Sequence, residues 1–321
     1  MDEETINSII EKKTWIVDAS SKLSSLKDTS FQSLILDVLE KRALSHDVKE
    51  INKDLRENPF VSKCDVDQKT FLRFDSLAYD LLPDNYQSLE LSPLEPFAVN
   101  QYLGWISQKR IFSTTRNSEV ISDPTMALSL HAAQQRIDLI KKNGANPDIV
   151  SLATSHRVIR QETPKKKWYT THFRNFTIVS AWRDKGSETF EKQQLTEHFS
   201  YFIDLLDKLN KTWEYNIEDI TFVISNVDRN KPELLDIVQN SVINDLSSKY
   251  PNITFRTDKD RTSNYYSSLC YSIIAKNKDW QQINIGWGGL TDRTKKLVGS
   301  KKERLLVWSI WSEIINKLFK S

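Results

Sequence analysis

Two β-rich runs, residues 156–162 and 172–182, flank a loop at residues 163–171 and read as one strand–loop–strand unit. Its chemistry is dense. Arg160 and Glu162 end the first run, Lys165, Lys166 and Lys167 lie in the loop, and His172 and Phe176 stand in the second run. An arginine forks a phosphate, a carboxylate accepts from an adenine amino group, and a ring stacks on a base, so the set suits a nucleoside triphosphate. The three lysines could touch the β- and γ-phosphates or simply form a solvated charged loop.

The segments around this unit set the fold class. Residues 3–17, 28–42 and 46–56 carry apolar side chains at i, i+3, i+4 and i+7, as in Phe31, Leu34, Ile35, Val38 and Leu39, and predict helices without chemistry. They form a helical N-terminal extension over residues 1–62, a cap or a dimerisation arm. Residues 67–82 predict a further helix stopped by Pro83. Strands are expected at 86–91, 112–121, 220–225, 264–275 and 280–288, and helices at 126–142, 189–210, 232–249 and 301–319. Strands cluster rather than alternating regularly with helices. That pattern predicts an α+β fold over residues 63–321, a mainly antiparallel sheet of about six strands flanked by helices.

Charge and composition remove several classes. Forty-five basic and 43 acidic residues give a net charge of +2, too balanced for a strong nucleic-acid binder. No apolar run approaches the roughly 18 residues a bilayer needs, and the acidic start lacks a secretory n-region and h-region. Cys64 and Cys270 form neither a disulfide framework nor a metal spacing, and the five histidines show no ligand cluster. The expectation is a cytoplasmic protein with no membrane association and no metal site built by protein alone. Four of the seven glycines (286, 288, 289, 299) fall within fourteen residues, as backbone does at a close approach or in a bulged hairpin.

In order along the chain, the segments resemble the catalytic core of a class II aminoacyl-tRNA synthetase of the histidyl type, over roughly residues 67–320. Helix 67–82, the strand and Pro93 resemble motif 1, the dimer-interface element. Ile159-Arg160-Gln161-Glu162 with His172 to Phe176 resembles motif 2, and Glu303-Arg304 with the apolar run after them resembles motif 3. Ile121 to Thr125, Arg261 to Ser267 and Gly288 to Asp292 stand where the histidyl branch has R-P-E-G-T, R-G-L-D-Y-Y-T and G-G-R-Y-D.

The resemblance implies ATP with Mg²⁺ as cofactors. Arg160 would hold the α-phosphate, and Glu162 and Phe176 the adenine. His172 and Glu303 would complete the nucleotide site, and Arg304, at the start of a helix, would add positive charge. Arg261 would assist adenylate formation. Asp123 would take the substrate α-ammonium, unless it is only a helix cap. Thr125, Tyr265 and Tyr266 would line the amino-acid pocket, or pack in the core. Ile178 and Trp182 replace the polar residues that read histidine in the family, which argues against histidine as substrate. The chain has no room for the family's anticodon-binding domain, which argues against ordinary tRNA charging.

Three readings follow. One is a ligase that activates an amino acid or related carboxylate as an acyl-adenylate and passes it to a non-tRNA acceptor, such as a carrier or partner protein. The second is a non-catalytic module like the regulatory subunit of ATP phosphoribosyltransferase. The third is an interaction protein that has kept only the fold. A homodimer is expected in each.

Overall fold

A computed structural model describes residues 3–144, 148–161, 169–212 and 215–320. Four helices lead the chain: α1 (Glu3–Thr14), α2 (Ala19–Ser24), α3 (Asp28–Leu44) and α4 (Val48–Glu57). Then come α5 (Gln68–Asp80), β1 (Tyr86–Ser88), β2 (Leu94–Pro96), α6 (Val99–Gly104), β3 (Ser118–Val120) and α7 (Pro124–Asn143). The central hairpin is β4 (Val150–Ile159) and β5 (His172–Arg183), followed by α8 (Thr189–Thr212) and β6 (Glu218–Asn226). α9 (Leu234–Val238) and α10 (Asn244–Lys249) are joined by a π-helical turn, Gln239–Ile243. The chain ends with β7 (Thr254–Thr257), β8 (Leu269–Lys276), β9 (Gln282–Thr291), α11 (Arg293–Val298), β10 (Glu303–Ile310) and α12 (Ser312–Leu318).

Among the described residues the main sheet has the order β1-β4-β5-β10-β9-β8-β6-β7. Its six central strands are antiparallel throughout, and only β1 and β7 add in parallel at the edges. The expected α+β architecture is therefore what the chain adopts.

The sheet has eight strands rather than about six, the strand expected at 112–121 shortens to Ser118–Val120 and pairs with β2 outside it, and one expected helix is replaced. Residues 301–319, expected as a single helix, split into β10 and α12. Leu305 and Val307 pack on one face of the sheet while Leu306, Trp308 and Ile310 pack on the other. A strand buried on both faces is a continuous apolar run, which periodicity alone does not separate from a buried helix.

The larger core lies under α8. Phe199 and Phe202 meet Trp308 at ring-centroid distances of 5.1 and 4.7 Å, and Tyr271 meets it at 4.2 Å. Two adjacent glycines make room on opposite faces of β9. A Cβ on Gly288 would lie 2.4 Å from Tyr271 Cε2, and one on Gly289 would lie 2.5 Å from Tyr266 Cδ1. Backbone approach, not turn geometry, explains these two of the clustered glycines.

His198 on α8 is fully buried and shares a hydrogen bond from Nε2 with Ser180 Oγ (2.8 Å). Burial pushes its pKa down from 6.5 to about 3. The unfolded chain takes up this proton near pH 6.5 and the folded chain only near 3. This contribution to stability is thus complete above pH 6.5 and is lost as the pH falls, by up to about 1.4 kcal/mol per pH unit. Urea unfolding between pH 6.5 and 5 is expected to show a shallower pH slope in His198→Gln than in the wild type. Equal slopes would refute this assignment.

Candidate functional site

The residues expected to bind one nucleotide divide between two faces and two ends of the sheet. β4 and β5 pair in strict register, Val158 opposite Phe173 and Ser155 opposite Phe176. Paired residues share a face and successive residues alternate. Arg160 follows β4 on the face of Val158 and Phe173, and its guanidinium lies 5.1 Å from the Phe173 ring. Phe176 belongs to the other face, fully buried between Tyr79 and Tyr201. Ile178 is buried on that same face, and Trp182 is packed against the same core. The expectation that Phe176 stacks a base beside Arg160, and that Ile178 and Trp182 line a substrate pocket with it, is corrected by this parity. The case against histidine, which rested on Ile178 and Trp182, is withdrawn with it.

Arg304 lies at the opposite end of the sheet. It opens β10 opposite Trp182, whereas Arg160's amide donates to the Thr171 carbonyl, eleven residues away along β5. That is roughly 35 Å of strand. Arg304 instead donates to Asp184 and lies 3.5 Å from Glu191, at the rim of a separate cavity of 420 Å³. Burial holds the Glu191 carboxyl above its usual range despite Arg304. Glu303 is sealed inside the protein in a two-pronged pair with Arg136 (2.9 and 3.0 Å), tying β10 to α7. The expected helix start after Arg304 is in fact the start of α12, where Glu313 stands. Its carboxylate accepts from Arg157 (2.9 Å) and from the Arg174 amide (3.2 Å). A carboxylate suits a helix N-terminus but opposes a phosphate there.

His172 lies behind the hairpin, bonded to Arg157 Nη1 (2.9 Å) and to the Ser62 carbonyl (2.7 Å). Glu162 and the lysines at 165–167 lie outside the described residues. Arg261 is on the Arg160 face, with its guanidinium 3.8 Å from the Trp287 ring. Trp287 is three strands away from β4 and in register with Thr154, six residues before Arg160, so the backbones of Trp287 and Arg160 are roughly 25 Å apart along the sheet. The described residues therefore do not gather the expected ATP set. Among them no group of three or more His, Cys, Asp or Glu is placed to hold a metal ion.

The structure does bring together Asp123, Thr125, Tyr265 and Arg160. Asp123 Oδ1 caps α7 by accepting from the Thr125 amide (2.9 Å). Its Oδ2 accepts from Tyr265 Oη (2.7 Å) and stands 4.0 Å from Arg160 Nη2. The capping and the pocket-facing roles thus fall to different oxygens. Because Tyr265 donates to Asp123, Thr125 Oγ1 donates to Tyr265 (2.9 Å) and itself accepts from Arg293 Nη1 (3.0 Å). Burial pushes the Asp123 carboxyl up, but Arg160, Arg293 and Tyr265 together hold it below the usual carboxylate range. Burial pushes Tyr265 up to about 12, so it remains a donor. Tyr266 lies beside Tyr265 (5.0 Å between centroids) and packs into the core over Gly289.

Asp123, Arg160 and Tyr265 open on a 220 Å³ cavity lined also by Ile106, Arg110, Ile111 and Ser122. Its wall is braced from behind. Arg160 Nε donates to the Ser122 carbonyl (3.3 Å), and Ser122 Oγ donates to Asn100 Oδ1 (2.7 Å). Asn100 Nδ2 donates to both Glu95 and Glu119 (2.7 Å each). Burial pushes Glu95 up to about 8, while Glu119 also accepts from the Ala98 and Asn100 amides. Sequence reasoning missed Arg293, although it directly follows the Gly288 to Asp292 segment, and it missed Phe173, which the two-residue period would have placed.

Solved structures share this fold. Histidyl-tRNA synthetase from S. aureus matches with a TM-score of 0.54 and 14% identity, covering 78% of this chain and 66% of that one. The fold is that of a class II aminoacyl-tRNA synthetase core. A protein described as an ATP phosphoribosyltransferase regulatory subunit/histidyl-tRNA synthetase from Bacillus halodurans C matches this synthetase-like core over 83% of both chains, with a TM-score of 0.57 and 11% identity. The RNA binding domain of threonyl-tRNA synthetase from Cryptosporidium parvum Iowa II matches at 0.57 and 9%, covering 78% of this chain and 62% of that one. The chain spans just under two thirds of the S. aureus enzyme. No family model matches the synthetase-like sequence, and no curated protein does. No helix among the described residues is long and apolar enough to cross a membrane.

Proposed function

We propose that this chain is a binding module that takes up a free amino acid, or a zwitterion of similar size, in the Asp123 cavity and does not convert it to an acyl-adenylate. The observation that carries the reading is the open pairing of Asp123 and Arg160. At 4.0 Å the two charges are too far apart for a close ion pair, and they face one small cavity. An α-ammonium fits Asp123 and Tyr265, and an α-carboxylate fits the fork of Arg160. A volume of 220 Å³ holds a ligand of amino-acid size, smaller than a nucleotide. The adenylating reading needs Arg160, Phe176 and Arg304 around one triphosphate, and they stand on different faces and ends of the sheet. The B. halodurans neighbour's description joins this fold to a regulatory subunit, which supports passing the ligand signal to a partner protein.

Calorimetry with all twenty amino acids, histidine included, tests the reading. At least one is expected to bind the wild type. Asp123→Asn is expected to weaken it about 10- to 100-fold, the worth of one charge-assisted bond. ATP–pyrophosphate exchange is expected to stay at background with every amino acid. Exchange above background, or binding indifferent to Asp123→Asn, would sink the proposal.

A further inference from the structure

A zwitterion held by Asp123 and Arg160 sends its side chain toward the remaining wall of the cavity. Asp123 Oδ2 and Arg160 Nη2 are 4.0 Å apart, so an α-ammonium and an α-carboxylate bound to them lie side by side. Tyr265 belongs to the same wall, because its hydroxyl donates to Asp123 (2.7 Å). The next substituent of the α-carbon then faces the segment after α6, which contributes Ile106 and Ile111 to the lining.

Both isoleucines are held in place. The Ile106 amide donates to the Asn100 carbonyl (3.1 Å). Its side chain packs over Gly104, where a Cβ would lie 3.5 Å from Ile106 Cδ1 and would strike Met126 Cε at 2.2 Å. Met126 is in the first turn of α7, which Asp123 caps, so Ile106 stands on the Asp123 side. The Ile111 carbonyl accepts from Gln161 Nε2 (3.1 Å), so Ile111 stands on the Arg160 side. Between them, Gln108 Nε2 donates to Ser113 Oγ and to Glu119 (2.7 and 2.8 Å). Residues 106–111 therefore form a built wall, and a ligand does not have to order it.

The polar groups beside the isoleucines are engaged. Ser122 Oγ donates to buried Asn100, and the Ser122 carbonyl accepts from Arg160. Arg110, exposed at the mouth, is not free. Against this wall of described residues a polar side chain loses water without gaining a partner, whereas an aliphatic one gains by leaving water. The 220 Å³ cavity must also hold the head group, so the side chain is short. A branch at its second or third carbon touches both isoleucines at once. Building on the amino-acid binding proposed above, we infer that the ligand is a branched aliphatic amino acid (valine, leucine or isoleucine) whose side chain packs between Ile106 and Ile111.

Competition calorimetry on the full chain, with alanine as the reference ligand, tests this. One of the three branched amino acids is expected to bind at least about tenfold tighter than alanine, serine or asparagine, the worth of one or two methylenes in an apolar pocket. In Ile106→Ala that preference over alanine is expected to shrink about tenfold. Tightest binding by any other amino acid, still weakened by Asp123→Asn, would overturn the aliphatic assignment and leave the amino-acid site standing. An undiminished preference in Ile106→Ala would take Ile106 out of the side-chain wall and overturn the assignment as well. No binding by any amino acid, or binding indifferent to Asp123→Asn, would bring down the site and the assignment together.

Discussion

Arg136→Ala and Glu303→Ala are each expected to lose about 3–5 kcal/mol of stability in urea unfolding, among the largest single-site effects in this chain. Both side chains are fully shielded from water and bonded to each other by two prongs. Removing either leaves the other as a buried, uncompensated charge, and the interior is too apolar to tolerate it. Arg136→Met with Glu303→Leu is expected to recover most of the loss, since two packed apolar side chains replace a dehydrated pair at little cost. The Asp148 carbonyl, which accepts from Arg136 Nη1 (2.7 Å), would lose that partner and limits the recovery. Amino-acid binding in the double variant is expected to match the wild type, because Asp123 and Tyr265 lie at the other end of α7. Additive losses in the double variant would disprove the direct coupling.

Gly288→Ala is expected to cost about 3 kcal/mol, at the upper end for overpacking. The added methyl meets three neighbours at once: Tyr271 Cε2 at 2.4 Å, the Val307 carbonyl oxygen at 2.8 Å and Trp308 Cγ at 2.9 Å. The oxygen cannot withdraw, because β9 and β10 are laddered from Gly286 to Thr291. Trp308 is enclosed by Phe199, Phe202 and Tyr271 and cannot swing away. The unfolding midpoint and the near-ultraviolet signal of the aromatic core report the change together. A loss under about 1 kcal/mol would mean that this core is looser than its ring distances indicate.

Much of the architecture could be read from the sequence because amphipathic periods survive in α5, α7 and α8. The hairpin β4–β5 was also legible, since its β-rich runs flank a polar loop. The C-terminal strand was not, because Leu305 to Ile310 is apolar on both faces and the sequence carries no period there. That single misreading moved Arg304 from a helix start to a strand start and with it a corner of the expected nucleotide site. Asp123, Thr125 and Tyr265 were legible because each lies in a short segment that the family resemblance singles out. Phe176 was misplaced although the physical rule was at hand. Once Arg160 is put on a strand paired with β5, the period of two assigns Phe173, Asn175 and Thr177 to its face and excludes Phe176.

The same alternation has an evolutionary reading. The even-numbered residues of β5 from Phe176 to Trp182 belong to the packed interior beneath α8, whereas Phe173, Asn175 and Thr177 belong to the Arg160 face. One strand thus holds two inheritances side by side. Substitution at Phe173, whose ring packs on the Arg160 guanidinium, can reshape the ligand cavity in a lineage while the series beneath α8 stays as it was.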